Sequence, residues 1–169
     1  PFNDVYFTGM VRDNKRRKMS KSLGNSPDAL ALIDNYGADG VRFGMLSSAA
    51  AGNDIVFDAP INSETKAVEN SSQLCAQGLN CCNKMSNALK LMKSWEIVEQ
   101  PVSESAGLVN SLATAWFEHK IQQNVASIEK SFESFRLSEA LMSLYGFLWN
   151  DFFSQYLEMV KPVYGEAID

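Results

Sequence analysis

Apolar residues recurring every three or four positions over residues 61–169 constrain this chain more than any other feature. One stripe joins Cys75, Leu79, Cys82, Met85, Leu89 and Met92. A second joins Leu112, Trp116 and His119 and, on a neighbouring register, Phe117, Ile121, Val125, Ile128, Phe132 and Phe135. The third runs Leu137, Leu141, Leu144, Leu148, Phe152, Tyr156 and Met159, and Lys161-Pro162 ends it. Such spacing is the period of an α-helix with one apolar face, which proline cannot continue. No single helix can bury its own stripe, so three long helices are predicted to pack as an antiparallel bundle. Residues 99–105, rich in Glu, Ser and Pro, read as the linker between the first two.

Ahead of Pro60 the texture differs. Val5, Phe7 and Thr8 to Val11 are β-prone, Asp13-Asn14 suits a turn, and Arg16 to Met19 follows; a short β-hairpin is expected. Ser26-Pro27-Asp28 then reads as a helix start, with Ser26 as cap and Pro27 at the first helical position. Leu30 and Ile33 mark its buried side, and Gly37 ends it after Tyr36. Asp39 can cap a second helix, where Val41, Met45 and Ser48 share a face with Phe43 and Leu46 beside it; residues 49–53 close it. Ile55-Val56-Phe57 is a short extended segment. The fold class is therefore mainly α: a small α+β region over residues 1–60, then a helical bundle over 61–169.

Charge is concentrated in one place. Between Arg12 and Lys21 stand six positive side chains and one negative, Asp13, in a chain whose net charge is -5. A local positive field on an acidic protein suits one specific polyanion and argues against a general nucleic-acid binder. Within it, Lys18-Met19-Ser20-Lys21-Ser22-Leu23-Gly24-Asn25 sets two lysines three positions apart before Gly-Asn, a mobile cationic clasp. Read as a basic run alone, it is first a solvated loop or a kinase substrate site. Cys75, Cys81 and Cys82 are odd in number and lack metal-ligand spacing, so they read as reduced thiols of a cytosolic protein without zinc. His119 falls on a stripe and reads as a packed or interfacial histidine, and Trp95, Trp116 and Trp149 read as core anchors. Phe147, Trp149, Phe152, Phe153 and Tyr156 cover too much of one helix to share a single buried side. No apolar run is long enough to span a membrane.

The run Arg17 to Asn25 resembles the KMSKS signature loop of class I aminoacyl-tRNA synthetases. Tyr36-Gly37-Ala38-Asp39-Gly40-Val41-Arg42-Phe43 and Gly52-Asn53-Asp54-Ile55-Val56-Phe57-Asp58 look like the valine-specific branch of that class; the isoleucine and leucine branches share the loop and the Gly-Ala-Asp-x-x-Arg element but differ around Gly-Asn-Asp. Gly78, Asn80, Asn83-Lys84, Asn87-Ala88, Phe135-Arg136, Glu139-Ala140 and Trp149 resemble the family's anticodon-binding domain. The chain departs from the family at Arg16, where Gly is common, and at Leu79, where Arg is common.

That resemblance implies activation of an amino acid with ATP and its transfer to tRNA. Residues 1–60 would be the edge of a catalytic domain, its stem-contact region carrying the loop, and 61–169 the anticodon-binding bundle. Lys21 would be the principal phosphate contact and Lys18 its partner, with Ser20 and Ser22 donating hydrogen bonds and backbone near Met19 beside the adenine. ATP with magnesium, valine and tRNA(Val) are the implied cofactors and partners, with no protein metal site. Lys84, Lys90, Lys93 and Arg136 are candidate tRNA contacts, with solvated helix charges as the competing reading. The chain opens on Pro1 and lacks the family's N-terminal ATP motif, amino-acid pocket and editing domain. It is therefore expected to be a cytoplasmic enzyme's excised piece, inactive alone. The alternatives are an isoleucine-specific relative, or a stand-alone helical module binding RNA or protein.

Overall fold

The computed structural model describes residues 1–50, 52–98, 104–163 and 167. Helices dominate it: α1 (Ala29–Ser47), α2 (Gln73–Lys93), α3 (Glu104–Glu133), α4 (Leu137–Gly146) and α5 (Leu157–Val160), the last two joined by a π-helical stretch, Phe147–Tyr156. The sheet is minimal. β1 (Val11–Arg12) runs parallel to β2 (Ile55–Val56), pairing Val11 with Ile55 and Arg12 with Val56. Of the expected linker, residues 99–103 lie outside the described residues, and Glu104 and Ser105 already belong to α3.

The expected hairpin shrinks to one antiparallel bridge between Arg12 and Lys18, and residues 5–10 form no regular strand. Chain distant in sequence takes the pairing instead: the Ile55 N–H donates to the Met10 carbonyl and the Phe57 N–H to that of Arg12, both at 2.9 Å. The turn that remains is closed by Arg16 N–H to the Asp13 carbonyl at 2.7 Å and Asp13 N–H to that of Arg17 at 2.9 Å. Arg16 sits in it at φ 60, where a Cβ is strained. Arg16→Gly should therefore stabilise the protein by about 0.5–1 kcal/mol, relief of that strain exceeding the added unfolded-state entropy. A denaturant midpoint that stays put or falls contradicts this.

Helix α1 starts later than expected. Its cap is Asp28, whose carboxylate accepts the Leu30 N–H at 3.1 Å, so Ser26 and Pro27 lie outside. The later start turns Leu30 outward (71% exposed) and buries Leu32 in its place. The break foreseen at Gly37 is present as a kink (φ 71, ψ 157) between two helical arms. Along the second arm Gly40 and Gly44 face α2 at Cys75 and Gly78. The buried stripe of α2 is accordingly Cys75, Gly78, Cys81 and Ala88, while Met85 and Leu89 of the expected stripe are exposed. Small residues win this face because α1 approaches too closely for larger ones.

Among the described residues, two clusters form the core. Leu32, Phe57, Ala59 and Cys75 pack with Val11, Met19, Tyr36, Val41 and Met45 around them. Ala88, Phe153 and Leu157 pack with Trp95, Leu148, Trp149 and Phe152. Ends are tied as well as faces. The Asp58 carboxylate accepts the Ser72 hydroxyl and the N–H groups of Gln73 (2.7 Å) and Leu74 (3.2 Å), placing an anion at the positive end of α2.

The third stripe slips by one residue. Phe153, Leu157 and Val160 are buried where Phe152, Tyr156 and Met159 were expected. A π turn holds one residue more than an α turn, so the stretch from Phe147 to Tyr156 rotates everything after it. On α3 only Ala113 is buried among the described residues. Trp116 and Phe117 are half-buried, and Leu112 and Phe132 are exposed. Phe117 is the hub of the aromatic contacts, stacking on Tyr156 at 4.1 Å and on Phe147 and Phe152 at 5.4 and 5.6 Å.

Candidate functional site

The cationic loop is built upward from one buried carboxylate. Asp13 is 2% exposed, and its Oδ1 accepts the N–H groups of Lys15 (3.0 Å) and Arg17 (2.9 Å). Its Oδ2 accepts the Arg17 Nε at 2.8 Å and the Asn25 Nδ2 at 3.0 Å. Burial alone raises its pKa. Donation from Asn25 and from the backbone and guanidinium of Arg17 overrides that and holds the carboxyl far below the usual carboxylate range. Asp13 is thus a permanent anion at working pH, suited to holding structure and not to carrying protons.

Across the loop stands Asn25, 3% exposed. Its Oδ1 accepts the Ser20 N–H at 2.9 Å, and its Nδ2 also donates to the Lys18 carbonyl at 3.1 Å. Between these ties Lys21–Leu23 forms a single 3-10 turn. The Ser20 hydroxyl accepts the Leu23 N–H at 3.2 Å and lies 3.0 Å from that of Ser22, and Gly24 closes the turn at φ 61. Lys18, Lys21 and Ser22 are exposed, Ser20 is half-buried, and Met19 packs its side chain on the first core cluster. The two lysines therefore differ: the backbone of Lys18 is pinned, whereas Lys21 stands on the projecting turn.

The field is thinner than six cations suggest. Arg17 is spent on Asp13, and Arg12 pairs through its Nε with Asp54, whose Oδ1 also accepts the Met10 N–H at 2.9 Å. The Arg12 hydrogen bond, then that of Met10, holds Asp54 below its ordinary pKa. Lys15, Arg16, Lys18 and Lys21 are left exposed without an ion pair among the described residues.

In the bundle, Lys84 lies 4.1 Å from the centre of the Trp149 ring and 5.1 Å from that of Phe153, a packed cation–π contact that takes it out of the exposed charges. Arg136 reaches Glu139 at 3.4 Å. Lys90 and Lys93 are exposed in the last turn of α2, where the helix dipole favours cations. His119 is exposed and 3.0 Å from Gln123, so of its two expected places, packed or interfacial, it is not packed. Tyr145 packs against Phe43 at 5.6 Å and ties α4 to α1. The anchoring roles of Asp13 and Asn25 were not expected from the sequence. An acid alone among six cations was the available signal for Asp13; Asn25 gave none beyond its place after Gly24.

Burial pushes the Cys75 and Cys81 thiols up, away from reactive thiolate. Among the described residues no three His, Cys, Asp or Glu side chains converge as metal ligands, and no helix is long and apolar enough to cross a membrane.

Residues 1–58 match the family of class I tRNA synthetases (I, L, M and V), and residues 114–168 match the anticodon-binding domain of tRNA ligase. Over all 169 residues the chain is 52% identical to a valine--tRNA ligase of Phocaeicola vulgatus and 50% to one of Bacteroides thetaiotaomicron, spanning 17% of the length of each. The fold is similar to a LeuRS from Agrobacterium radiobacter K84 solved in a ternary complex with tRNA and LeuAMS. The TM-score is 0.57 at 23% identity, over 89% of this chain and 18% of that one.

Proposed function

From the premise that this chain belongs to the class I tRNA synthetases, joined to a tRNA-ligase anticodon-binding domain, we propose that it is the part of a valine--tRNA ligase that grips ATP's phosphates and holds tRNA(Val). The observation that carries this reading is continuity: one stretch, 52% identical to such a ligase throughout, contains both the exposed lysine loop and the bundle. Residues 1–60 supply the loop at the edge of the catalytic domain, and 61–169 form the anticodon-binding unit. The setting is cytoplasmic, and the chain alone is inactive because valine binds to parts of the ligase outside it.

The chemistry follows from the loop. As the amino-acid carboxylate attacks the α-phosphorus, charge builds on the departing pyrophosphate, and cations aimed at those oxygens lower the barrier. Lys21 on its projecting turn meets the phosphates, Lys18 assists from its pinned backbone, and Ser20, Ser22 and the Met19 backbone line the approach. Magnesium would be held mainly by the phosphates of ATP itself, and the lysines carry the part of the reaction assigned to this chain.

The test uses the full-length protein with ATP and each of valine, isoleucine and leucine. Pyrophosphate exchange should depend on valine, and a tRNA panel with altered anticodons should be charged only where the valine anticodon is kept. Exchange with isoleucine in its place points to the sister enzyme. No exchange, with equal weak binding of every tRNA, leaves only a helical RNA-binding module.

A further inference from the structure

We infer that Asp13 is a positioning residue for the step proposed above: acting through Asn25 and Arg17, it fixes the root of the loop so that Lys21 is presented to the triphosphate. This deepens the proposed function and rests on it.

Hydrogen-bond connectivity gives Asp13 this role. Asn25 ties three pieces of chain at once: the Ser20 N–H, the Lys18 carbonyl and the Asp13 carboxylate, at 2.9, 3.1 and 3.0 Å. Asp13 in turn ties the preceding turn through Lys15 and Arg17. Above these ties the 3-10 turn is held by its own contacts, Ser20 to Leu23 and the Gly24 N–H to the Lys21 carbonyl at 3.1 Å. Among the described residues its apex makes no hydrogen bond or ion pair to the body: Lys21 is exposed and Leu23 is 66% exposed. The direction in which Lys21 points is therefore set where the turn is rooted, at Ser20 and Asn25. The pair is the pivot, and the buried carboxylate is what fixes the pivot.

Chemistry singles out the carboxylate. Asp13→Asn keeps the size of the side chain and leaves one oxygen for the turn N–H groups. It then sets an amide NH2 against the donors of Asn25 and Arg17, so the root loosens while the turn stays folded. Misplacement of about 1 Å far from the chemistry can cost about a hundredfold in rate.

In the full-length protein, Asp13→Asn should lower kcat for valine-dependent pyrophosphate exchange by about 10- to 100-fold, with KM for valine within about twofold. In a Lys21→Ala background the same change should cost less than about threefold, because a misaimed group that is already absent costs nothing more. Asn25→Ala should reproduce the loss, and combining it with Asp13→Asn should add little. Exchange at the wild-type rate in either single variant overturns the inference; so does an equal loss in the Lys21→Ala background, the mark of general structural damage. Wild-type protein without valine-dependent exchange would instead overturn the functional reading, before any variant is compared.

Discussion

Lys21→Ala in the full-length protein should slow ATP–pyrophosphate exchange by about 10²–10³-fold while leaving valine binding nearly unchanged. That is the scale for losing one preorganised contact to charge that develops only in the transition state. The structure gives reasons for expecting a clean loss. The Lys21 side chain is exposed and makes no ion pair among the described residues, so its removal leaves no buried partner unsatisfied. Its turn is held by groups the substitution does not touch: the Ser20 cap on the Leu23 N–H, the Lys21 carbonyl itself, and Gly24 at φ 61. The loop should keep its shape and lose only its charge, so the effect should fall on kcat more than on KM. Lys18→Ala should cost less, because its pinned backbone keeps its ammonium nearer the root than the apex. Wild-type exchange by the Lys21 variant would remove that residue from the mechanism and, with it, the main chemical role given to this chain.

Helices were legible in the sequence because periodicity is local. The three long stripes and the kink at Gly37 all correspond to observed features. What local periodicity could not give was the phase of each buried face. On α2 the face is chosen by the neighbouring helix, and the close approach of Gly40 and Gly44 favours Cys75, Gly78 and Cys81 over the larger apolar residues beside them. After Phe147 a π-helical stretch rotates the stripe by one residue, which a fixed 3.6 period cannot follow. The hairpin failed for a related reason: β1 finds its longer partner at Ile55–Val56, more than forty residues away in sequence, by the register itself. At the loop, chemistry could be read from composition: lysines, hydroxyls and a Gly-Asn exit. Support could not, because Asp13 and Asn25 meet only once the chain has folded back.

Gly78→Ala should destabilise the protein by about 2 kcal/mol, although alanine is the better helix former. In the interior of α2 the exchange gains about 1 kcal/mol of propensity. Against this, an added Cβ would lie 2.6 Å from the Phe43 Cβ, 2.8 Å from the Gly40 carbonyl oxygen and 2.9 Å from the Phe43 Cγ. One of those neighbours is backbone of α1, so the clash is relieved only by moving a helix. Overpacking costs about 1–3 kcal/mol, and a clash with the backbone of a packed helix belongs at the upper end, which leaves a net loss of about 2. Gly146→Ala supplies the control: no atom lies within 4 Å of its added Cβ, and the same propensity gain should appear as stabilisation of up to about 1 kcal/mol. Denaturant midpoints of the two variants should thus move in opposite directions. Separation of α1 from α2 should also disturb the Phe43–Tyr145 contact, seen as a loss of near-ultraviolet dichroism in Gly78→Ala alone. If both variants stabilise equally, the close helix approach does not set this interface, and the choice of small residues along Cys75, Gly78 and Cys81 needs another cause.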